Sequence, residues 1–131
     1  MSDFPAIGHV AVTVKDLAVS RPWYQRLIGS DPVLDEPTEG GFHHTVFKVG
    51  NTLLGLHEHS KMNADDVFSE FRTGLDHIAF GCTDRAALTS WESRLDDLDI
   101  AHSGIVDADY GSGLSFRDPD GIALEFFAPP G

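Results

Sequence analysis

Two histidines of this chain stand at the same place in two similar stretches. His9 lies in Ile7-Gly8-His9-Val10-Ala11-Val12-Thr13-Val14-Lys15-Asp16, and His77 lies in Leu75-Asp76-His77-Ile78-Ala79-Phe80-Gly81-Cys82-Thr83-Asp84. Each comes early in an apolar run and is followed by an Asp seven residues later. A third group, Glu125, is embedded in Leu124-Glu125-Phe126-Phe127, where a carboxylate is costly to bury unless a cation meets it. One imidazole or carboxylate in a strand is ordinarily structural. Three of them at repeat-related strand positions point to a metal site, or to a polar pocket without metal. Other histidines offer proton transfer. His43 and His44 are neighbours in a strand, so one of the two faces any pocket and the other faces away. His57 has three readings, as a further ligand, a general base or a surface residue, with the base ranked first. His59 is expected at a strand end in solvent and His102 on an edge strand. Arg117 is either a site for an anionic substrate or an exposed turn-end residue. Asp16 and Asp84 each precede a helix, and capping explains them.

The elements that must position these groups come from a repeat. His77 follows His9 by 68 residues, and the same offset relates Trp91 to Trp23, Leu95 to Leu27 and Arg94 to Arg26. An internal repeat of this kind fixes the architecture before any local pattern does. In the first half, Ile7 to Val14 alternates, with Ile7, His9, Ala11 and Thr13 on one face and Val10, Val12 and Val14 on the other, which predicts a strand. Val19, Trp23 and Leu27, with Tyr24 and Ile28 beside them, predict a helix to cover its oily face. Ser20 is the expected N-cap, Pro22 falls in the first turn and Gly29 stops the helix. Strands follow at Asp31–Asp35, Phe42–Val49 and Thr52–His59, the last two joined at Gly50-Asn51. The second half repeats the order. Leu75–Cys82 is a strand, and Asp84 caps a helix carrying Leu88, Trp91, Leu95 and Leu98. Strands are expected at Ile100–Ile105, Gly111–Arg117 and Ile122–Phe127, with Asp118-Pro119-Asp120-Gly121 as a turn. Residues 60–74 read as a linker with one helical turn anchored by Phe68.

Composition bounds the rest. The chain of 131 residues has a formal net charge of −12, which argues against nucleic acid as a partner. That charge suits a solvated acidic surface or a cationic ligand. No apolar run approaches the ~20 residues of a membrane span, and the first residues lack the features of a signal peptide. Cys82 is the single cysteine, so no intrachain disulfide forms, and a cytoplasmic location is expected. On the helix-covered face of its strand, Cys82 should be inert packing.

Two copies of strand, helix and three strands resemble the vicinal oxygen chelate superfamily, which includes glyoxalase I, extradiol dioxygenases, fosfomycin-resistance thiol transferases, methylmalonyl-CoA epimerase and bleomycin-resistance proteins. The resemblance is carried by Gly8-His9-Val10-Ala11-Val12, by Leu75-Asp76-His77-Ile78-Ala79-Phe80, and by Asp118-Pro119-Asp120-Gly121-Ile122-Ala123-Leu124-Glu125-Phe126. It implies an α+β fold of two βαβββ repeats, residues 5–59 and 75–128, forming one domain of the half-barrel type. It also implies His9, His77 and Glu125 as ligands of a divalent metal (Fe, Mn, Zn or Ni) that chelates a small oxygenated substrate, in a homodimer. Gly55 stands where glyoxalase I carries a Glu and the epimerase a Gln, and His57 lies two residues on along the same face. Two histidines and one carboxylate are the set used by fosfomycin-resistance enzymes and extradiol dioxygenases. The strand Gly111–Arg117 lacks the additional His of the dioxygenases. The resemblance equally allows a metal-free protein of the bleomycin-resistance type that sequesters a cationic ligand.

Overall fold

A computed structural model describes residues 3–62 and 65–131 of the chain. The chain divides into two compact units, residues 1–66 and 67–131. In the first unit, strand β1 (His9–Thr13) leads into helix α1 (Leu17–Ile28), followed by β2 (Leu34–Pro37), β3 (Phe42–Val49) and β4 (Thr52–His59). In the second, β5 (Ile78–Gly81) leads into α2 (Arg85–Asp97), followed by β6 (His102–Ala108), β7 (Gly111–Arg117) and β8 (Ala123–Ala128). The sheet orders are β1-β4-β3-β2 and β5-β8-β7-β6, so the two units share one topology, two βαβββ modules of an α+β fold. In each, the first strand pairs parallel with the last, and the remaining pairings are antiparallel.

Each sheet has one face under its helix and one open face. In the first unit Val12, Val14, Phe47, Leu54 and Leu56 are buried with Tyr24 and Leu27 of α1. In the second, Leu114, Phe116, Leu124 and Phe126 are buried with Leu88 and Leu95 of α2. Phe126 is the centre of that layer. Trp91 stacks on it at 4.2 Å between centroids, Phe116 stacks at 5.3 Å, and Phe80 lies tilted at 5.5 Å. Aromatic pairs at these separations add to the burial of their apolar surface.

Both helices start at the repeat-related Asp. Asp16 accepts from the Ala18 N–H and Asp84 from the Ala87 N–H, each satisfying a donor that the helix itself leaves open. The expected cap at Ser20 is therefore corrected. Ser20 is buried inside α1, and the helix begins three residues before it. Pro22 accordingly falls beyond the first turn, where its missing N–H forfeits a helix bond. Glu58 of β4 adds a second carboxylate at the start of α1, accepting from the Leu17 N–H at 2.8 Å. Gly29 ends α1 at φ 84°, a left-handed position that suits glycine.

β3, β4 and β7 have the expected bounds. The first strands of both units are shorter than expected, and β2, β6 and β8 lie further along the chain. His77 thus stands one residue before β5 rather than within it. Among the described residues 60–74 there is no helical turn at Phe68, and Asn63 and Ala64 of that segment lie outside the described residues. Polar turn residues there pack too little apolar surface to hold a helix.

Removing either cap tests this account. Asp84→Ala and Asp16→Ala should each lower stability by about 1 kcal/mol in urea unfolding, with the urea dependence unchanged. The Asp16 variant should lose less, because Glu58 still serves the start of α1.

Candidate functional site

Alternation along the strands sorts the candidates by face. In the first unit the register pairs His9 with Leu53, Ala11 with Gly55, Thr13 with His57 and His44 with His57. His9, His44 and His57 therefore share the open face. His43 pairs with Glu58 on the helix side, and its Nε2 donates to Asp35 Oδ1 at 2.6 Å. Asp35 also accepts from the Thr45 hydroxyl and forms an ion pair with Arg21 of α1. His43 is thus part of the clasp between helix and sheet, and His44 is the member of the pair that faces outward with His57.

Phe42, His44, His57 and His59 make an aromatic group on that open face. Phe42 stacks on His57 at 4.4 Å and 18°, and the His44 and His59 rings each lie 6.0 Å from that of His57. His44 Nε2 is buried without a hydrogen-bond partner among the described residues, and its nearest carboxylate oxygen, on Glu36, is 3.9 Å away. Burial, then the fields of His44, His59 and His9, push the His57 pKa below the ordinary histidine value. His57 accordingly stays uncharged at neutral pH and is able to accept a proton.

The second unit contains a cavity of about 550 Å3. His77 and Glu125 line it, together with Asp76, Ser115, Arg117 and Glu70. His77 Nδ1 is 2.7 Å from Asp76 Oδ1. An ionised carboxylate only accepts, so Nδ1 is the donor and Nε2 is left to point elsewhere. Nε2 faces Glu125 Oε1 at 3.7 Å, too far for a hydrogen bond. Glu125 pairs with Ala79 of β5 and with Ser115 of β7, and its carboxylate lies over Gly113. A Cβ at Gly113 would meet Oε2 at 2.8 Å, so the absence of a side chain makes room for the carboxylate.

These residues suit a metal ion. Two donors bound to one ion at about 2.1 Å each stand roughly 3.0–3.4 Å apart at octahedral to tetrahedral angles. The 3.7 Å between His77 Nε2 and Glu125 Oε1 is within a small side-chain adjustment of that range. A carboxylate on the far nitrogen is the usual support of a metal-binding histidine. Within neither unit do three His, Cys, Asp or Glu side chains gather closely enough to hold an ion by themselves, among the described residues.

The two units also differ at matched positions. Ala11 pairs with Gly55 as Ala79 pairs with Glu125, so Gly55 is the repeat counterpart of Glu125. A Cβ at Gly55 would make ordinary contact with the Ala11 Cβ and with His57 Nε2, each at 3.5 Å. Other candidates are accounted for structurally. His102 accepts from the Gly104 N–H at Nδ1 and donates from Nε2 to Asp96, on the edge strand β6. The Cys82 thiol is pushed up by burial and then by Asp84, which disfavours the reactive thiolate. Sequence reasoning missed the roles of Asp76 and Gly113. Asp76 was in view beside His77, but no periodicity marks an orienting carboxylate, and Gly113 declares itself only through its partner across the strands.

The chain belongs to the glyoxalase/bleomycin resistance protein/dioxygenase superfamily, whose family model matches residues 6–126. A glyoxylase/bleomycin resistance protein/dioxygenase domain from Frankia sp. EAN1pec is 31% identical, with a TM-score of 0.83 over 98% of this chain and 94% of that one. MhqA of Bacillus subtilis (strain 168), whose name assigns it provisionally as a ring-cleaving dioxygenase, is 25% identical over 126 residues. That match covers 93% of this chain but 39% of the relative's length. A variant of the fosfomycin resistance protein FosX from Listeria monocytogenes, solved with Mn(II) and 1S,2S-dihydroxypropylphosphonic acid, shares the fold at 15% identity. Its TM-score is 0.71, over 98% of this chain and 95% of that one. No helix among the described residues is long and apolar enough to cross a membrane.

The electrostatics of His57 can be checked by NMR. Its imidazole should titrate below pH 6.5, the ordinary histidine value, and His44→Ala should move the midpoint back toward it. Because the folded pKa is lowered, the unfolded chain binds more protons in the interval between the folded value and 6.5. Stability should therefore fall as pH drops through that interval, and His57→Phe should flatten the fall.

Proposed function

We propose that this protein is a metal-dependent enzyme of the superfamily, acting on a small oxygenated substrate. His77 and Glu125 hold a divalent ion, and His9, the repeat counterpart of His77, is the third protein ligand that the family resemblance implies. The observation that carries this reading is the His77–Glu125 pair. Asp76 accepts from His77 Nδ1, and Nε2 faces a carboxylate oxygen at 3.7 Å, a spacing that an ion shared between the nitrogen and the oxygen would suit.

Two histidines and one carboxylate leave coordination positions open, which suits Fe(II) or Mn(II), with Zn(II) and Ni(II) also compatible. The ion would act as a Lewis acid that polarises two substrate oxygens. The chain's own residues supply the rest. Asp76 fixes the His77 tautomer, Gly113 seats the Glu125 carboxylate, and His57, uncharged at neutral pH, moves the proton. The name of MhqA, a relative called a ring-cleaving dioxygenase, supports oxygenase chemistry, and lyase or isomerase chemistry would fit the same frame. The two repeats, joined by residues 60–74, act as one domain of a cytoplasmic homodimer.

Mn(II) titration of chelator-treated protein tests the reading. Wild type should bind near-stoichiometrically, and His77→Ala or Glu125→Ala should abolish tight binding while the thermal melt stays cooperative. Asp76→Asn should weaken binding about tenfold to a hundredfold, the usual range for a residue that orients a ligand. Gly113→Ala should also weaken it with little loss of stability, because the added methyl displaces only the end of a flexible side chain. Unchanged Mn(II) binding in both alanine variants at His77 and Glu125 would sink the assignment. Gly55→Glu is the converse experiment. A carboxylate at the counterpart of Glu125 should raise metal affinity and lower activity by filling an open position.

A further inference from the structure

The cavity of the second unit has one permanent cation among its described lining residues, Arg117. Its side chain is half exposed, yet its position is set from two sides. Nη1 donates to the Gly121 carbonyl at 3.0 Å, within the turn that follows β7. Nη2 donates to Glu70 Oε2 at 2.5 Å, and Nη1 reaches Glu70 Oε1 at 3.5 Å, so the guanidinium fork already holds a carboxylate. Glu70 belongs to no regular element; it is half-buried with Phe68 and Ser69, while its other neighbour, Phe71, is 93% exposed. The other carboxylates of the lining differ in kind. Asp76 accepts from His77 and its charge also reaches Arg117, and Glu125 faces the same histidine.

Register sets the separation. Arg117 pairs with Ala123, two residues before Glu125 on the same face of β8. Two residues of strand set these two backbone positions roughly 7 Å apart, on the order of the width of a benzene ring bearing one substituent. A carboxylate on the Arg117 fork and oxygens beside Glu125 and His77 would thus belong to one small molecule.

We propose that this cavity takes a substrate bearing a carboxylate, and that the substrate carboxylate replaces Glu70 on Arg117. The Gly121 carbonyl keeps the guanidinium aimed while Glu70 leaves. The exchange is favourable because a part-exposed ion pair is weakly held in water, whereas a substrate fixed at both ends gains from its second anchor. Arg117 supplies the planar two-pronged contact that a carboxylate needs, which an ammonium group does not reproduce. This assignment rests on the proposed metal site only for what lies at the other end of the substrate.

The test separates the two. Metal-free protein is titrated with benzoate and with benzylamine, and followed by backbone amide shifts. Benzoate, with one anchor, should shift Ser115 and Arg117 only at millimolar concentration in wild type, bind at least threefold more tightly to Glu70→Gln, where the competing carboxylate is gone, and lose binding in Arg117→Met. Arg117→Lys, which keeps the charge without the fork, should bind benzoate weakly and guards against an unfolded Met variant. Benzylamine should cause no shifts. Benzoate binding that none of these variants alters, or a preference for benzylamine, overturns the proposal. With Mn(II) added, 3,4-dihydroxybenzoate should bind at least tenfold more tightly than catechol. Equal affinities on Mn(II)-loaded protein also count against the Arg117 assignment. A chain that holds no Mn(II) defeats the metal reading and leaves the benzoate result to decide this one.

Discussion

The parallel pairing of the first and last strand in each unit is the constraint on which the candidate site depends. It brings residues far apart in the chain to adjacent places on one open face, Ala79 beside Glu125 in one unit and Ala11 beside Gly55 in the other. The pairing is held by what lies beneath it. Phe126, next to Glu125, is clamped among Trp91, Phe80 and Phe116. A slip of one residue would drive the Glu125 carboxylate under α2 and expose Phe126, a double cost in buried charge and lost apolar burial. The aromatic layer on the closed face therefore fixes where the carboxylate on the open face stands.

The same backbone carries different chemistry in its two copies. The second unit places a histidine and a carboxylate together, supports the histidine through Asp76 and clears space with Gly113. The first unit leaves the matched position as Gly55 and gathers histidines around Phe42 instead. One copy thus sets an imidazole against a carboxylate, and the other gathers imidazoles around an aromatic ring. Open-face residues can differ in this way without disturbing the closed faces, because the two sets alternate along every strand.

The closed faces also explain why polar groups there are structural. His43, Asp35, Thr45 and Arg21 form a connected group between helix and sheet, and Glu58 serves the first turn of α1. Each takes up a hydrogen-bonding group that would otherwise be costly to enclose. A histidine is thus tied into the fold or left on the open face according to the side of the strand on which it falls, and His43 and His44 are the clearest pair.

The sequence by itself determined the repeat, the order of elements, both capping aspartates and the candidates His9, His77 and Glu125. These follow from patterns one or two turns long: alternation in strands, helical spacing of Trp23 and Trp91, and a constant offset between halves. It offered Ser20 beside Asp16 as the cap of the first helix, because hydroxyl and carboxylate caps look alike in sequence and only the start of hydrogen bonding chooses between them. It left open which of His43 and His44 turns outward, since alternation gives two faces and does not say which one the helix covers. Tertiary structure decided that, through the packing of α1 on Thr45 and Phe47. It also decided the partnerships of Asp76 with His77, Gly113 with Glu125 and Glu70 with Arg117. Except for the neighbours Asp76 and His77, these join residues on different segments, and their meeting depends on register and side-chain direction, which no local pattern encodes.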